Sequence, residues 1–157
     1  MTEQALLENK LIVFQIEQRE YAISVQMVGS IEKLLPITRV PSTVDFIIGV
    51  INLRGVVTPV VDLKQRFYGK ETIFTNDTRI LVVHMEELTI GVIVDEANDV
   101  VDIDPTFIEQ PPETIDSTVD APFIDGVVRH EDRLLILVDL ENALEMDALK
   151  AGERKNG

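Results

Sequence analysis

Apolar and polar positions alternate with period two along most of the chain, the pattern of strands buried on one face. Residues 11–17 (LIVFQIE) and 20–25 (EYAISV) read as a hairpin that turns at Gln18 and Arg19. Residues 80–86 (ILVVHME) and 88–94 (LTIGVIV) read as a second hairpin. Helical spacing is rarer. Residues 25–34 (VQMVGSIEKL) lead a stretch that would set Val28, Ile31 and Leu35 on one face of a short helix. Residues 139–150 (DLENALEMDALK) make a better one, with Asp139 as N-cap, Leu140, Leu144 and Ala148 in helical register, and Lys150 at the C-terminal dipole. Pro59 interrupts an apolar run, which predicts an edge or a bulge there, because proline donates no ladder hydrogen bond.

The pattern is written twice. At an offset of 69, Val13, Glu17 and Val25 meet the identical Val82, Glu86 and Val94. At an offset of 77, Phe46, Ile47, Gly49, Val50, Val61, Asp62 and Leu63 meet Phe123, Ile124, Gly126, Val127, Val138, Asp139 and Leu140. The eight extra residues of the second copy fall in 102–123, which carries four of the seven prolines and reads as loop. A mainly β fold follows: two small five-stranded barrels related by a pseudo-twofold, with short helices and a C-terminal helix. Units of this size are too small to stand alone, so a shared core is expected. One domain over 10–150 is expected, with repeat units 11–78 and 79–147 and flexible tails at 1–9 and 151–157.

Composition narrows the functions. The chain has 157 residues, no cysteine and a formal net charge of −14. Disulfides, thiolate metal sites and cysteine nucleophiles are excluded. Nucleic acid and anionic lipid surfaces are poor partners for so acidic a protein. The opening MTEQALLENK has no apolar secretory core, and no uncharged run exceeds eleven residues (21–31), so a cytoplasmic protein without membrane insertion is expected.

Catalytic readings find little support. His84 and His130 stand without metal-binding spacing, and no nucleophile elbow or phosphate loop occurs. Asp95, Glu96, Asp99, Asp102 and Asp104 form the one constellation that resembles a site, yet DEANDVVDIDP lacks the glycine and spacing of a calcium loop. A solvated face is the plainer reading, with a metal binder or hydrolase as its rival. No enzyme and no cofactor is expected.

Five blocks carry a family resemblance: EYAISVQMVGSIEKL (20–34), FIIGVINLRGVVTPVVDL (46–63), TRILVV (78–83), IGVIVDEANDVV (90–101) and RLLILVDL (133–140). Together they resemble the CheW family of bacterial chemotaxis coupling proteins, from about residue 10 to residue 145. The resemblance implies that the barrels are SH3-like. It implies a free-standing adaptor that couples chemoreceptor cytoplasmic tips to the regulatory domain of the histidine kinase CheA, in the cytoplasm and recruited to membrane-associated receptor arrays. A coupler for a CheA-like pathway with a non-swimming output fits equally well.

Carried over to this chain, the resemblance implies a receptor-binding groove between the barrels, with Val28, Ile48, Gly49, Leu53, Arg54 and Gly55 as its residues. Arg54 has Glu131 at its counterpart in the second copy, an asymmetry that favours a partner-facing role over a purely structural one. The alternative is an internal pair with Asp62 or Glu32 that fixes the turn. Many relatives carry glutamate immediately before the isoleucine at 31; here Ser30 stands there and Glu32 follows instead. On a helix that two-residue shift would redirect the side chain by about 200°. For the kinase, the resemblance implies barrel ends, and Val127, Val128, Arg129, His130 and Arg133 are the candidates.

Overall fold

The computed structural model describes residues 9–41, 45–110 and 123–144. Strands β1 (Lys10–Ile16) and β2 (Arg19–Ser24) form the first hairpin. It turns at Glu17 and Gln18, both with positive φ (55° and 67°), one residue earlier than the expected Gln18–Arg19 turn. Arg19 instead opens β2, opposite Ile16. After a single 3-10 turn (Val25–Met27) come β3 (Val28–Lys33), the two-residue β4 (Thr38–Arg39), β5 (Ile47–Leu53) and β6 (Val56–Asp62). Helix α1 (Leu63–Tyr68) leads to β7 (Arg79–Met85), β8 (Leu88–Val94) and β9 (Glu96–Asp102). A second 3-10 turn (Pro105–Phe107), β10 (Ile124–His130), β11 (Arg133–Val138) and α2 (Leu140–Ala143) complete the described chain.

The helix expected from Val25 forms for only one 3-10 turn. From Val28 the chain is a strand antiparallel to β7, with a bulge between Val28 and Ser30. β-branched Val28 and Ile31 beside Gly29 suit a strand better than a helix. The C-terminal helix is capped as expected, Asp139 accepting from the Asn142 amide, and its course beyond Leu144 lies outside the described residues.

Two sheets result, in strand orders β10-β11-β2-β1-β9 and β3-β7-β8-β6-β5-β4. The first has the expected five strands; the second gains a sixth in β4, whose counterpart is the single bridge between Glu109 and Val127. The repeat boundary at 78/79 is not a sheet boundary. Each sheet takes a hairpin from the other repeat, so β1–β2 pairs with β9 and β11 while β7–β8 pairs with β3 and β6.

The pseudo-twofold holds residue by residue. Val60 lies opposite Gly91 in the parallel pair β6–β8, and their counterparts Leu137 and Ala22 lie opposite each other in β11–β2. Asp62 donates its amide to the Phe46 carbonyl, as Asp139 does to that of Phe123. Pro59 departs from expectation, because β6 is an interior strand between β8 and β5. Pairing to β8 begins only at Val60, whereas the second copy begins at Ile136, the counterpart of Pro59. The missing N–H is accommodated by starting the ladder one residue later.

Three apolar cores explain the Val/Ile/Leu-rich strands. Val13, Val128, Leu135 and Leu137 fill the first sheet, and Ile48, Ile51, Leu53, Ile80 and Val82 fill the second. Between the sheets lies the shared core, which includes Phe14, Tyr21, Phe67, Leu81, Val83, Phe123, Ile136 and Leu140. Alternate residues of β7 therefore face different cores: Ile80 and Val82 one way, Leu81 and Val83 the other. No helix among the described residues is long and apolar enough to cross a membrane.

The shared core holds a polar pair that predicts alkaline behaviour. The Tyr21 and Tyr68 hydroxyls are hydrogen-bonded, and burial, followed by that bond, pushes the Tyr21 pKa far above its ordinary 10.0. Burial pulls the Lys64 ammonium down, but its bonds to Asp95 and Glu17 outweigh this and leave its pKa above 10.5. Both shifts stabilise the fold below the unfolded-state values, and both contributions are lost as pH rises past them. The melting temperature is therefore expected to hold from pH 7 to about 10 and then to fall. Tyr21→Phe should flatten that fall; parallel wild-type and variant profiles would contradict the assignment.

Candidate functional site

Arg54 and Gly55 form the turn between β5 and β6, at φ 50° and 87°. Asparagine suits such turns, and Asn52 supplies the polar support: its Oδ1 accepts the Gly55 amide at 2.7 Å. Left-handed backbone costs a non-glycine residue about 1 kcal/mol. An arginine retained at that cost, with its side chain 68% exposed, reaches outward from a rigid hairpin.

Its partner is Glu32, with Nη2 and Oε2 3.1 Å apart. Asp62, the other carboxylate considered, is 2% exposed and occupied elsewhere. Because β3 is a strand, Val28, Ser30 and Glu32 share one face. The redirection anticipated for a helix does not occur: a carboxylate displaced by two residues keeps its side of the strand. Arg54 thus has an internal anchor and an outward-facing guanidinium at once.

The remaining groove candidates divide by depth. Gly55 is exposed at the turn, and Val28 is half-buried against the shared core. Ile48 and Leu53 point into the second sheet's own core at 8% and 9% exposure. Gly49 admits β4, since a Cβ there would lie 2.2 Å from the Thr38 carbonyl oxygen. Exposed Ile31 (41%), Val56 (62%) and Val57 (71%) adjoin the Arg54 turn or β3 and escaped the sequence reading.

The second candidate group divides in the same way. Val127 and Val128 are consecutive and both buried, one in the shared core and one in the first sheet's core. Arg129 is exposed, and His130 is half-buried with Nε2 3.9 Å from Glu131. Arg133 is engaged internally: Nε donates to Glu20 Oε1 at 3.1 Å and Nη1 to Asp99 at 3.3 Å. It ties β11 to β2 and β9 much as Arg54 ties the other hairpin to β3. Leu134 (45% exposed) and Val100 (53%) were not anticipated. The offsets expose them, because they are the counterparts of Val57 and Ile31. Each barrel end therefore carries an equivalent pair of exposed apolar side chains.

The acidic run is dispersed by the strand. Asp95 pairs with Lys64, Asp99 with Arg133 and Asp102 with Lys10. Asp104 caps the second 3-10 turn, and the Thr106 amide and hydroxyl lower its pKa. Among the described residues, no three histidine or acidic side chains gather around a common point.

Comparison with known proteins agrees with this geometry. Residues 10–148 match the CheW-like domain family. Chemotaxis protein CheW of Bacillus subtilis is 43% identical over 148 residues, 94% of either chain. Chemotaxis protein CheW of Klebsiella aerogenes is 31% identical over 140 residues, covering 89% of this chain and 84% of the relative. The crystal structure of the scaffolding protein TtCheW from Thermoanaerobacter tengcongensis superposes with a TM-score of 0.76 at 34% identity, covering 89% of this chain and 90% of that one. A match over nearly the full length, in sequence and in fold, means that the chain belongs to the CheW family.

Proposed function

We propose that this protein is a non-enzymatic chemotaxis adaptor that joins chemoreceptor cytoplasmic tips to the regulatory domain of a CheA-type kinase. The observation that carries this reading is the asymmetry laid over the pseudo-twofold. Both barrel ends expose apolar side chains on hairpins closed by an arginine–carboxylate pair. Only the second sheet sets a largely exposed guanidinium on its turn, where the first has Glu131 and Asp132. Equivalent apolar ends suit like-folded partners, and the unique arginine suits a different one. Arg54, Gly55 and Val28 take the receptor tip, supported from behind by Glu32, Ile48, Gly49 and Leu53. Leu134, Val100, Arg129 and His130 take the kinase domain, supported by Val127, Val128 and Arg133. Binding at one site biases the other by a coupling energy of about 1–3 kcal/mol.

Calorimetric titration with the regulatory domain of the cognate kinase tests the pairing. A one-to-one complex of micromolar affinity or tighter is expected, weakened at least about tenfold (some 1.4 kcal/mol) by Leu134→Asp. No heat at tens of micromolar would overturn the kinase assignment. Unchanged affinity in the variant would place the interface elsewhere.

A further inference from the structure

A side chain that bonds to its own repeat counterpart lies on the pseudo-twofold axis. Arg66 of α1 is such a residue: its Nε donates to the carbonyl of Ala143, which stands 77 positions later in α2. Its guanidinium also lies over the rings of Phe46 and Phe123, 5.4 Å and 4.2 Å from their centroids. These two phenylalanines are counterparts at the same offset, and each is 6% exposed. Both distances fall within about 6 Å, the reach of a cation–π contact, and desolvation strengthens such contacts. One cation therefore bridges equivalent points of the two repeats.

Each ring stands at the root of a hairpin that carries candidate binding residues. Phe46 precedes β5, which runs through Ile48 and Gly49 to the Arg54 turn. Phe123 precedes β10, which runs through Val127 to Arg129 and His130. The amides of Asp62 and Asp139, at the ends of β6 and β11, hold the carbonyls of Phe46 and Phe123. Each ring is thus tied to its own hairpin, and the two rings meet at one guanidinium.

We propose that Arg66 couples the two partner sites: resting on the adaptor reading above, it passes a displacement of the β5–β6 hairpin at the receptor tip to the β10–β11 hairpin at the kinase domain. The guanidinium keeps both rings and the Ala143 carbonyl only at one relative setting of the hairpins. A partner that shifts Phe46 either breaks its contact with Arg66 or carries Arg66, and with it Phe123, along. Arg66 is a positioning residue, since it acts through the two rings. Calorimetry measures the affinity of the kinase regulatory domain for the protein alone and for the protein saturated with a fragment of the chemoreceptor tip. In the parent the two affinities should differ by at least about fivefold, and in Arg66→Met by less than about twofold. Each partner alone should bind Arg66→Met with parental affinity. Arg66→Lys should keep only part of the difference, because an ammonium does not stack as a planar guanidinium does. An unchanged difference in Arg66→Met overturns the proposal. Equal affinities in the parent overturn the coupling as well, and absence of binding by the parent overturns the adaptor reading. Urea unfolding tests the bridge without any partner. Phe46→Leu and Phe123→Leu should cost less stability together than the sum of their single losses, and that shortfall should vanish in an Arg66→Met background. The same shortfall in both backgrounds overturns the bridge.

Discussion

Arg54→Glu is expected to abolish binding of the chemoreceptor tip while leaving kinase-domain binding intact and the melting temperature within a few degrees. The stability half follows from exposure. The Arg54–Glu32 pair has one partner 68% exposed, and such pairs contribute at most about 1 kcal/mol. For a chain of this size that is roughly 2–4 °C. Glutamate has a Cβ as arginine does, and Glu131 already occupies the equivalent position at φ 49°, so the turn tolerates an acid there. The binding half follows from chemistry: the substitution removes the one large cation on this hairpin and sets a second carboxylate beside Glu32. Loss of a central charged anchor costs about 2 kcal/mol or more, some thirtyfold in affinity, and reversal adds repulsion. Arg54→Ala should lie between. Receptor-tip binding by the glutamate variant at parental affinity would show that Arg54 serves the turn alone. Simultaneous loss of kinase binding would show that the fold had been disturbed.

Much of this architecture was legible before any coordinates. Both hairpins follow from period-two alternation, and the repeat announces the pseudo-twofold because identical residues occupy identical register positions. The exchange of hairpins between repeats was not legible, since pairing of β2 with β11 or of β3 with β7 leaves no mark on either segment alone. The spacing of Val28, Ile31 and Leu35 resembled a helix for a physical reason: Val28 and Ile31 lie on opposite faces of β3, Ile31 on the exposed one, and an apolar residue on each face of a short strand mimics helical i, i+3 spacing.

The site shows the same division. Arg54 could be singled out because its counterpart is an acid. Ile48, Leu53, Val127 and Val128 looked available because sequence cannot say that a strand has a core on each face. In β10, Val127 enters the shared core and Val128 the first sheet's own core, so neither face is free. Ile31, Val57, Val100 and Leu134 were missed for the converse reason: a branched apolar residue in a β-rich chain is read as core by default. Their mutual offsets of 69 and 77 were the available signal, since exposure repeated at two equivalent positions is unlike chance.

Asp62 and Asp139 turn the pseudo-twofold into a quantitative comparison. Both cap the helix that follows, and both carry the same backbone link to an equivalent phenylalanine. Removing an N-cap costs about 1 kcal/mol. Asp62 does more, because its Oδ2 accepts the Thr72 amide at 2.8 Å and its Oδ1 the Thr72 hydroxyl at 2.7 Å. Asp62 and Thr72 are 2% and 8% exposed, so alanine at 62 would strand a buried amide and hydroxyl, adding roughly 1–3 kcal/mol. Among the described residues the Asp139 oxygens serve only Asn142, and loss of the charge relieves Asp125, whose pKa is raised by burial and by the neighbouring Asp139. Asp62→Ala should therefore lower stability by about 2–4 kcal/mol, and Asp139→Ala by about 1 kcal/mol or less. Asp62→Asn should fall between them, since it keeps one acceptor for the cap but turns an NH2 toward the Thr72 amide. Urea unfolding of the three variants measures this order. Equal losses at 62 and 139 would mean that the loop returning from α1 is not held by Asp62. If the order holds, the same carboxylate that starts α1 also fixes the helix whose Lys64 pairs with Asp95 and Glu17 and whose Arg66 donates to the Ala143 carbonyl of α2, and Asp62→Ala should then loosen both links.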